Sequence, residues 1–117
     1  MLHRSVEKLR EASGRGATDI VIRDLETAIG EIGASVLTHG SPPGSDSAVE
    51  YTLRWDGWLA VAWFVDPGPP VHNQIGRAMP APTSEGGRGL ALARLLLDEL
   101  GYWREGNVNI WRLVKRL

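Results

Sequence analysis

The feature that most constrains this sequence is a pair of adjacent strand patterns joined by a tight-turn dipeptide. From Val49 to Trp55, apolar and polar residues alternate, which is typical of a strand with one buried face. The dipeptide Asp56-Gly57 that follows is a strong hairpin signal. The next stretch, Trp58 to Val65, is apolar at every position, as in strands that are buried on both faces. We therefore predict an antiparallel hairpin whose second strand lies inside a sheet.

Helical patterns precede this hairpin. Val6 to Ala12 predicts a short helix, which the glycine-containing stretch Ser13 to Ala17 ends. A longer helix follows, with Thr18 as its expected N-cap and Asp19 in its first turn. Its apolar positions recur at steps of three and four residues, at Val21, Leu25, Ala28, Ile32 and Val36. We expect Gly40 to cap the C-terminus of this helix.

A loop, a helix and a strand are expected after the hairpin. Val71 to Gly87 shows no period and is predicted to be a long loop. Arg88 to Leu100 has a helical pattern that Gly101 ends, and Val108 to Val114 predicts a last strand. The expected fold class is α+β, a two-layer sandwich of a mostly antiparallel sheet with helices on one face. All 117 residues are assigned to a single domain, 1–117.

Composition excludes several classes of function. The 14 acidic and 13 basic residues give a net charge of −1, which offers no electrostatic footprint for nucleic acid and no polybasic membrane anchor. The sequence has no cysteine, so disulfides and thiolate metal sites are ruled out. Its apolar runs are far shorter than the roughly 20 residues of a membrane helix. We expect a cytoplasmic protein without direct nucleic-acid or membrane partners.

Three polar segments are candidates for chemistry. On the second helix, Glu31, Ser35 and His39 are spaced by four and share one face. A carboxylate there could hold a magnesium-bound water or accept a proton, although a solvated helix face gives the same pattern. Asp66, directly after the buried strand, could accept a hydrogen bond from a ligand amine beside Gly68. The alternative is an aspartate that caps the local turn.

The third segment runs from the long loop into a helix and reads Gly86-Gly87-Arg88-Gly89-Leu90. Glycines at a helix N-terminus expose unpaired backbone amides, and the helix dipole there favours an anion. Arg88 adds a charged fork that suits phosphate. A flexible glycine-rich turn without a ligand is the alternative, because the segment lacks the residues of a P-loop.

In this order and setting, the three segments resemble the motifs of the GHKL ATPases, the gyrase, histidine kinase and MutL type. Within them the sequence is most similar to the anti-sigma-factor serine kinases. Glu31 to Gly40 resembles the N box, Val65 to Pro69 the first glycine box, and Gly86 to Leu90 the second. Gly106 to Trp111 resembles the closing strand. The resemblance covers about Asp19 to Leu113.

The resemblance implies an ATP-binding site and a role for each matching residue. Glu31 would be the general base and Asp66 the acceptor for the adenine amino group, with Gly68 beside the ring. Val71 to Glu85 would form the ATP lid. Asn109 would support the adenine through water. The residues that would hold the phosphates are Gly86, Gly87, Arg88 and Gly89.

One position departs from the family pattern. Ser35 stands where the family has the asparagine that holds magnesium. A serine hydroxyl is a shorter and weaker ligand, so we expect weakened Mg²⁺ binding and leave protein serine/threonine kinase activity open. The implied partners are a sigma factor or an anti-anti-sigma factor, and a sheet that lacks the family's N-terminal strand could pair into a homodimer.

Two further interpretations stay open. The first is a degenerate GHKL scaffold that binds proteins without ATP hydrolysis or kinase activity, which Ser35 favours. The intact Asp66, Gly68 and Gly86–Gly89 segment disfavours it. The second is the detached catalytic domain of a sensor histidine kinase, which the short lid and the N box disfavour.

Overall fold

In a computed structural model of the chain, residues 2–16, 18–39, 49–69 and 85–117 are described. Within these ranges the chain forms three helices and four strands. In chain order they are α1 (Leu2–Ser13), α2 (Ile20–His39), β1 (Glu50–Trp55), β2 (Leu59–Asp66), α3 (Glu85–Leu96), β3 (Glu99–Glu105) and β4 (Val108–Arg116). The expected cap Gly40 and residues 71–84 of the expected lid lie outside the described ranges.

The four strands form one antiparallel sheet in the order β1-β2-β4-β3. The prediction that the apolar second strand is interior is confirmed, because β2 pairs with β1 on one side and with β4 on the other. Asp66, the last residue of β2, lies directly opposite Asn109 of β4. The sheet register therefore places two residues of the expected ATP site side by side.

The helices cover one face of this sheet, which confirms the predicted α+β class. Along β2 every second residue is buried, and the buried side chains of β2 and β4 belong to the same core as those of the helices. The helices contribute Val6, Leu9, Ile22, Leu25, Ile29, Ile32, Leu90 and Ala93 to this core. The strands contribute Ala60, Ala62, Phe64, Trp111 and Leu113. No helix in the described ranges is long and apolar enough to cross a membrane.

Aspartate side chains cap two of the chain's local turns. Asp19 Oδ1 accepts hydrogen bonds from the amides of Val21 and Ile22, at 3.0 and 3.1 Å. Asp19 is thus the N-cap of α2, and the prediction that Thr18 caps this helix was wrong by one residue. The Ile22 amide, together with Arg15, holds the pKa of the Asp19 carboxyl below its ordinary value.

The hairpin turn between β1 and β2 is also capped by an aspartate side chain. Asp56 Oδ1 accepts hydrogen bonds from the amides of Trp58 and Leu59, both at 2.8 Å. These bonds, led by that of Leu59, hold the pKa of Asp56 below its ordinary value. Gly57 has a φ of 93°, a backbone conformation that side chains rarely adopt. The hairpin predicted from Asp56-Gly57 is confirmed.

The predicted helix from Arg88 to Leu100 is displaced and too long. The helix begins earlier, at Glu85, and ends at Leu96, and the chain then turns into β3. Leu97 and Leu100 continue the helical spacing, but Leu100 lies opposite Leu113 in the sheet and packs on the core from there. Because the helix ends early, the residues after it form β3 and pair with β4, which thereby gains a second hydrogen-bonded strand beside β2.

Candidate functional site

A buried polar pair lies where β2 ends. Asp66 and Asn109 are 1% and 0% exposed, and they are the buried polar side chains of the described core. Asn109 Nδ2 donates to Asp66 Oδ1 over 3.0 Å. The Gly68 amide donates to the same oxygen over 2.9 Å. A buried carboxylate needs such donors because desolvation disfavours its charge.

The hydrogen bonds of Asp66 bear on the two interpretations that the sequence left open. Its bond to the Gly68 amide is the local turn cap that the alternative predicts. Within the described ranges, however, both hydrogen bonds to this carboxylate end on Oδ1. The second oxygen, Oδ2, therefore retains acceptor capacity for a donor outside these ranges or for a ligand.

Asn109 holds the chain that leaves β2 as well as Asp66. Its Nδ2 atom is 2.8 Å from the Pro69 carbonyl and 3.3 Å from that of Gly68, so one amide binds three acceptors around the turn. The resemblance implied that Asn109 supports adenine through water. In the structure its amide nitrogen is directed at the protein, and it fixes the backbone beside Gly68, which is itself buried.

Two residues that the sequence did not single out complete this cluster. The Tyr102 hydroxyl donates to Asn109 Oδ1. Arg104 Nη1 donates to the same Oδ1 over 3.0 Å and to the Gly68 carbonyl over 2.9 Å. Both residues lie on β3, a strand that was not predicted: its first two residues were assigned to the end of a helix, and the rest was assigned to no element. The signal that could have revealed it is Gly106-Asn107, a hairpin dipeptide whose Gly106 has a φ of 57°.

The second group of expected site residues lies between α2 and α3. Glu31 on α2 is half-buried and faces Gly89 of α3 so closely that a Cβ atom on Gly89 would lie 2.5 Å from Glu31 Oε2. Glycine at this position therefore leaves space for the Glu31 carboxylate. Ser35 is half-buried one turn further along α2. We call this group the α2–α3 seam.

The glycine-rich segment lies in a helix and not before it. Gly86 and Gly87 belong to the first turn of α3, which begins at Glu85. The first four amides of a helix have no partner within the helix, so this turn can present donors to an anion. The side chain of Arg88 lies outside the described part of the chain. Among the residues described, no three histidine or acidic side chains converge as a metal site.

The structure thus brings the expected residues into two groups. Asp66, Gly68 and Asn109 form one hydrogen-bonded cluster at the end of β2, which we call the β2-end cluster, and Glu31, Ser35 and Gly89 line the α2–α3 seam. Gly86 and Gly87 adjoin the seam because they precede Gly89 in the same helix.

Solved structures with the same fold include two bacterial kinase domains. The histidine kinase domain of the blue-light activated histidine kinase of Erythrobacter litoralis EL346 superposes with a TM-score of 0.67 at 19% identity. The histidine kinase AdeS of Acinetobacter baumannii superposes with a TM-score of 0.58 at 13% identity. These matches cover 99% and 98% of this chain but 59% and 62% of the two solved chains. The chain thus spans about three fifths of each of them.

A family model accounts for almost the whole sequence. It is described as a histidine kinase-like ATPase domain, and it matches residues 2–115. No curated protein matches the chain. Because the family match extends from α1 to the last residues of β4, it includes both the β2-end cluster and the α2–α3 seam. The chain therefore belongs to the histidine kinase-like ATPase domain family.

Proposed function

We propose that this chain binds ATP as a regulatory protein of the anti-sigma-factor serine kinase type. The observation that carries the proposal is the buried carboxylate of Asp66, held through Oδ1 by Asn109 and the Gly68 amide. A ring amino group is a donor that Oδ2 could accept, and the adjacent Gly68 has no side chain to obstruct a flat ring. The adenine end of the site therefore fits a nucleotide.

The phosphates would lie at the start of α3. Unpaired amides of the first helical turn, which contains Gly86 and Gly87, can donate to phosphate oxygens. Arg88 follows in sequence and supplies a guanidinium of the type that binds phosphate bidentately. Gly89 keeps the Glu31 carboxylate close to this turn. The two groups of residues are thus assigned to opposite ends of one nucleotide.

Magnesium fits the described residues less well than the nucleotide does. Mg²⁺ requires near-ideal octahedral oxygen ligands and is usually bound by carboxylates and phosphates. The α2–α3 seam offers the Glu31 carboxylate and the neutral hydroxyl of Ser35, one helical turn apart. We therefore assign no step to a metal ion.

The reaction proposed for a kinase uses Glu31 as the base. ATP supplies the phosphoryl group when bound. The Glu31 carboxylate accepts the proton of a partner's serine hydroxyl while the new bond from that oxygen to phosphorus forms and the bond to the departing ADP breaks. The partner would be a sigma factor or an anti-anti-sigma factor, with the chain in the cytoplasm as a monomer or homodimer.

A second candidate function is a protein-binding module that does not turn over ATP. Ser35 is the observation that favours it, since phosphoryl transfer depends on charge neutralisation by a well-held metal ion. In that case the β2-end cluster would serve the stability of the sheet only. The two candidates differ in nucleotide binding, which can be measured directly.

Calorimetric titration of ATP and ADP, each with and without Mg²⁺, tests the proposal. We expect the wild type to bind, and Asp66→Asn to weaken binding by about tenfold or more, because the substitution replaces one carboxylate oxygen with an NH2 group, which cannot accept from the adenine amino group, and removes the charge. Asp56→Asn is the matched control, because it changes an aspartate at the opposite end of β2. Absence of heat in all four wild-type titrations would contradict nucleotide binding and favour the second candidate.

Ser35→Asn extends the same titration to magnesium. We expect this variant to bind ATP more tightly with Mg²⁺ than without it, while the wild type responds less. Incubation of both proteins with labelled ATP and a candidate partner then measures phosphoryl transfer. If the substitution leaves the magnesium response unchanged, Ser35 does not occupy the metal-binding position that the resemblance implies.

A further inference from the structure

A groove of about 560 Å³ lies between α1 and β1, and it shares no residue with the β2-end cluster or the α2–α3 seam. Arg4 and Lys8 of α1 form one wall. Tyr51, Leu53 and Trp55 of β1 lie opposite them. The volume is in the range of sites that bind ligands or peptides. The groove is therefore a second candidate for binding, independent of nucleotide.

The strand that borders this groove is an edge of the sheet. Within the described ranges, β1 has β2 on one side and no strand on the other. The Asp56 amide donates to the Leu59 carbonyl at the hairpin turn, so the alternation of an antiparallel ladder directs the backbone groups of Tyr51, Leu53 and Trp55 away from β2. Such a row of donors and acceptors can pair with another extended chain.

The charge of the groove indicates what kind of chain it would accept. Its charged lining residues, Arg4 and Lys8, are both cationic and exposed, and neither makes an ion pair with another described residue. Of the acidic residues near α1, Glu7 pairs with His3, and Glu26 pairs with His3 and Arg10. Glu11 is exposed on α1 but does not line the groove. The groove therefore favours an acidic occupant.

A hydrogen bond between the helix and the strand adds a third observation. Tyr51 is already engaged, because its hydroxyl lies 2.8 Å from Ser5 Oγ and joins the strand to the helix. The two walls of the groove are thus joined by a hydrogen bond.

We propose that the groove binds an extended acidic segment of a protein partner, which adds to the sheet as a strand beside β1. A second copy of this chain is the competing occupant. Pairing β1 with β1 would bring Arg4 and Lys8 of both copies to the same dimer interface, where these like charges would repel one another. The proposal does not depend on nucleotide binding, and its failure would leave the proposed function unaffected.

The probe is a fluorescein-labelled eight-residue peptide of alternating glutamate and valine, measured by fluorescence anisotropy with the full chain. A lysine–valine peptide controls for charge. A glutamate–valine peptide N-methylated at every residue has no amide donor on either edge, so it cannot pair as a strand and controls for strand addition. We expect the acidic peptide alone to bind and to shift the amide resonances of Tyr51, Leu53 and Trp55.

The double variant Arg4→Gln, Lys8→Gln tests the wall of the groove, and we expect its dissociation constant for the acidic peptide to rise at least tenfold. Arg23→Gln, Arg116→Gln is the matched control, because it removes two exposed cations elsewhere. Four results would overturn the proposal. They are no binding of the acidic peptide, equal binding of the lysine or N-methylated peptide, equal loss in the control variant, and sedimentation as a dimer with shifts at β1.

Discussion

The two groups of residues assigned to the nucleotide differ in how they are held. The β2-end cluster is buried, lies on paired strands and is fixed by hydrogen bonds from Asn109, Tyr102 and Arg104. The α2–α3 seam lies on two helices, and Glu31 there is half-buried in space that the lack of a side chain on Gly89 leaves open. In the proposed function, the element that recognises adenine is thus preorganised on strands, and the element that carries the base is more adjustable and lies on helices.

The two groups of residues should also differ in how much they contribute to the stability of the fold. Each member of the β2-end cluster satisfies a buried polar group, so its removal should destabilise the whole fold. Residues of the α2–α3 seam satisfy few such groups among the described residues, so they can change with little effect on folding. Substitutions in the β2-end cluster should therefore lower the free energy of unfolding more than substitutions in the α2–α3 seam.

The largest effect is expected for Asn109→Ala. The substitution removes the donor to Asp66 and to the Pro69 carbonyl and the acceptor for Tyr102 and Arg104. Leaving these groups without a partner should lower the free energy of unfolding by about 3 kcal/mol, measured by urea denaturation. Asn107→Ala, in the exposed turn, is the control. A loss of less than about 1 kcal/mol would show that water replaces the amide.

A smaller loss is expected for Arg104→Ala. This side chain bridges the Gly68 carbonyl and Asn109 Oδ1 but is more exposed than the pair it supports. The variant should lose about 1 kcal/mol in the same measurement. Arg104→Lys keeps the charge without the planar fork and should recover part of that loss. Equal stability of all three proteins would mean that the Arg104 side chain adds nothing to the stability of the β2-end cluster.

The α2–α3 seam is tested by Gly89→Ala, alone and with Glu31→Ala. Alanine favours a helix interior over glycine by about 1 kcal/mol, but its Cβ here would meet the Glu31 carboxylate. The single substitution should therefore stabilise less than the same substitution made in a Glu31→Ala background. Urea denaturation of the four proteins of this cycle gives the coupling. Additive effects would mean that the two side chains do not touch in solution.

The smallest effect concerns pH and the helix that carries Glu31 and Ser35. Because the pKa of Asp19 is lowered by folding, its stabilising contribution is present above the ordinary value of 3.8 and is lost as pH falls through the lower pKa of the folded state. Asn at this position keeps a capping oxygen without a charge. Asp19→Asn should therefore flatten the fall of the melting temperature between about pH 5 and pH 2. Profiles of identical slope would contradict this role.

The sequence predicted the hairpin and most of the apolar stripe of α2 correctly because their signals are local, although Ile22 is buried in the core in place of the expected Val21. Alternation, Asp56-Gly57 and the stripe on α2 each depend on residues close in the chain. β3 was missed because Leu97 and Leu100 extend a helical period that the chain abandons at Leu96. That error also concealed Tyr102 and Arg104, whose importance comes from the pairing of β3 with β4. The placement of Asp66 beside Asn109 likewise depends on strand register, which no local pattern encodes.

The position of β4 has a consequence for the order of folding. β4 is the last strand in the described chain, yet it lies between β2 and β3. Asp66 and Asn109 are separated by 43 residues in sequence, so their contact closes a long loop, whereas β1 with β2 and β3 with β4 close short ones. Closing a long loop costs more chain entropy, so the two hairpins can form early and must then dock. We expect this docking step to limit the folding rate, and the β2-end cluster would then be assembled late.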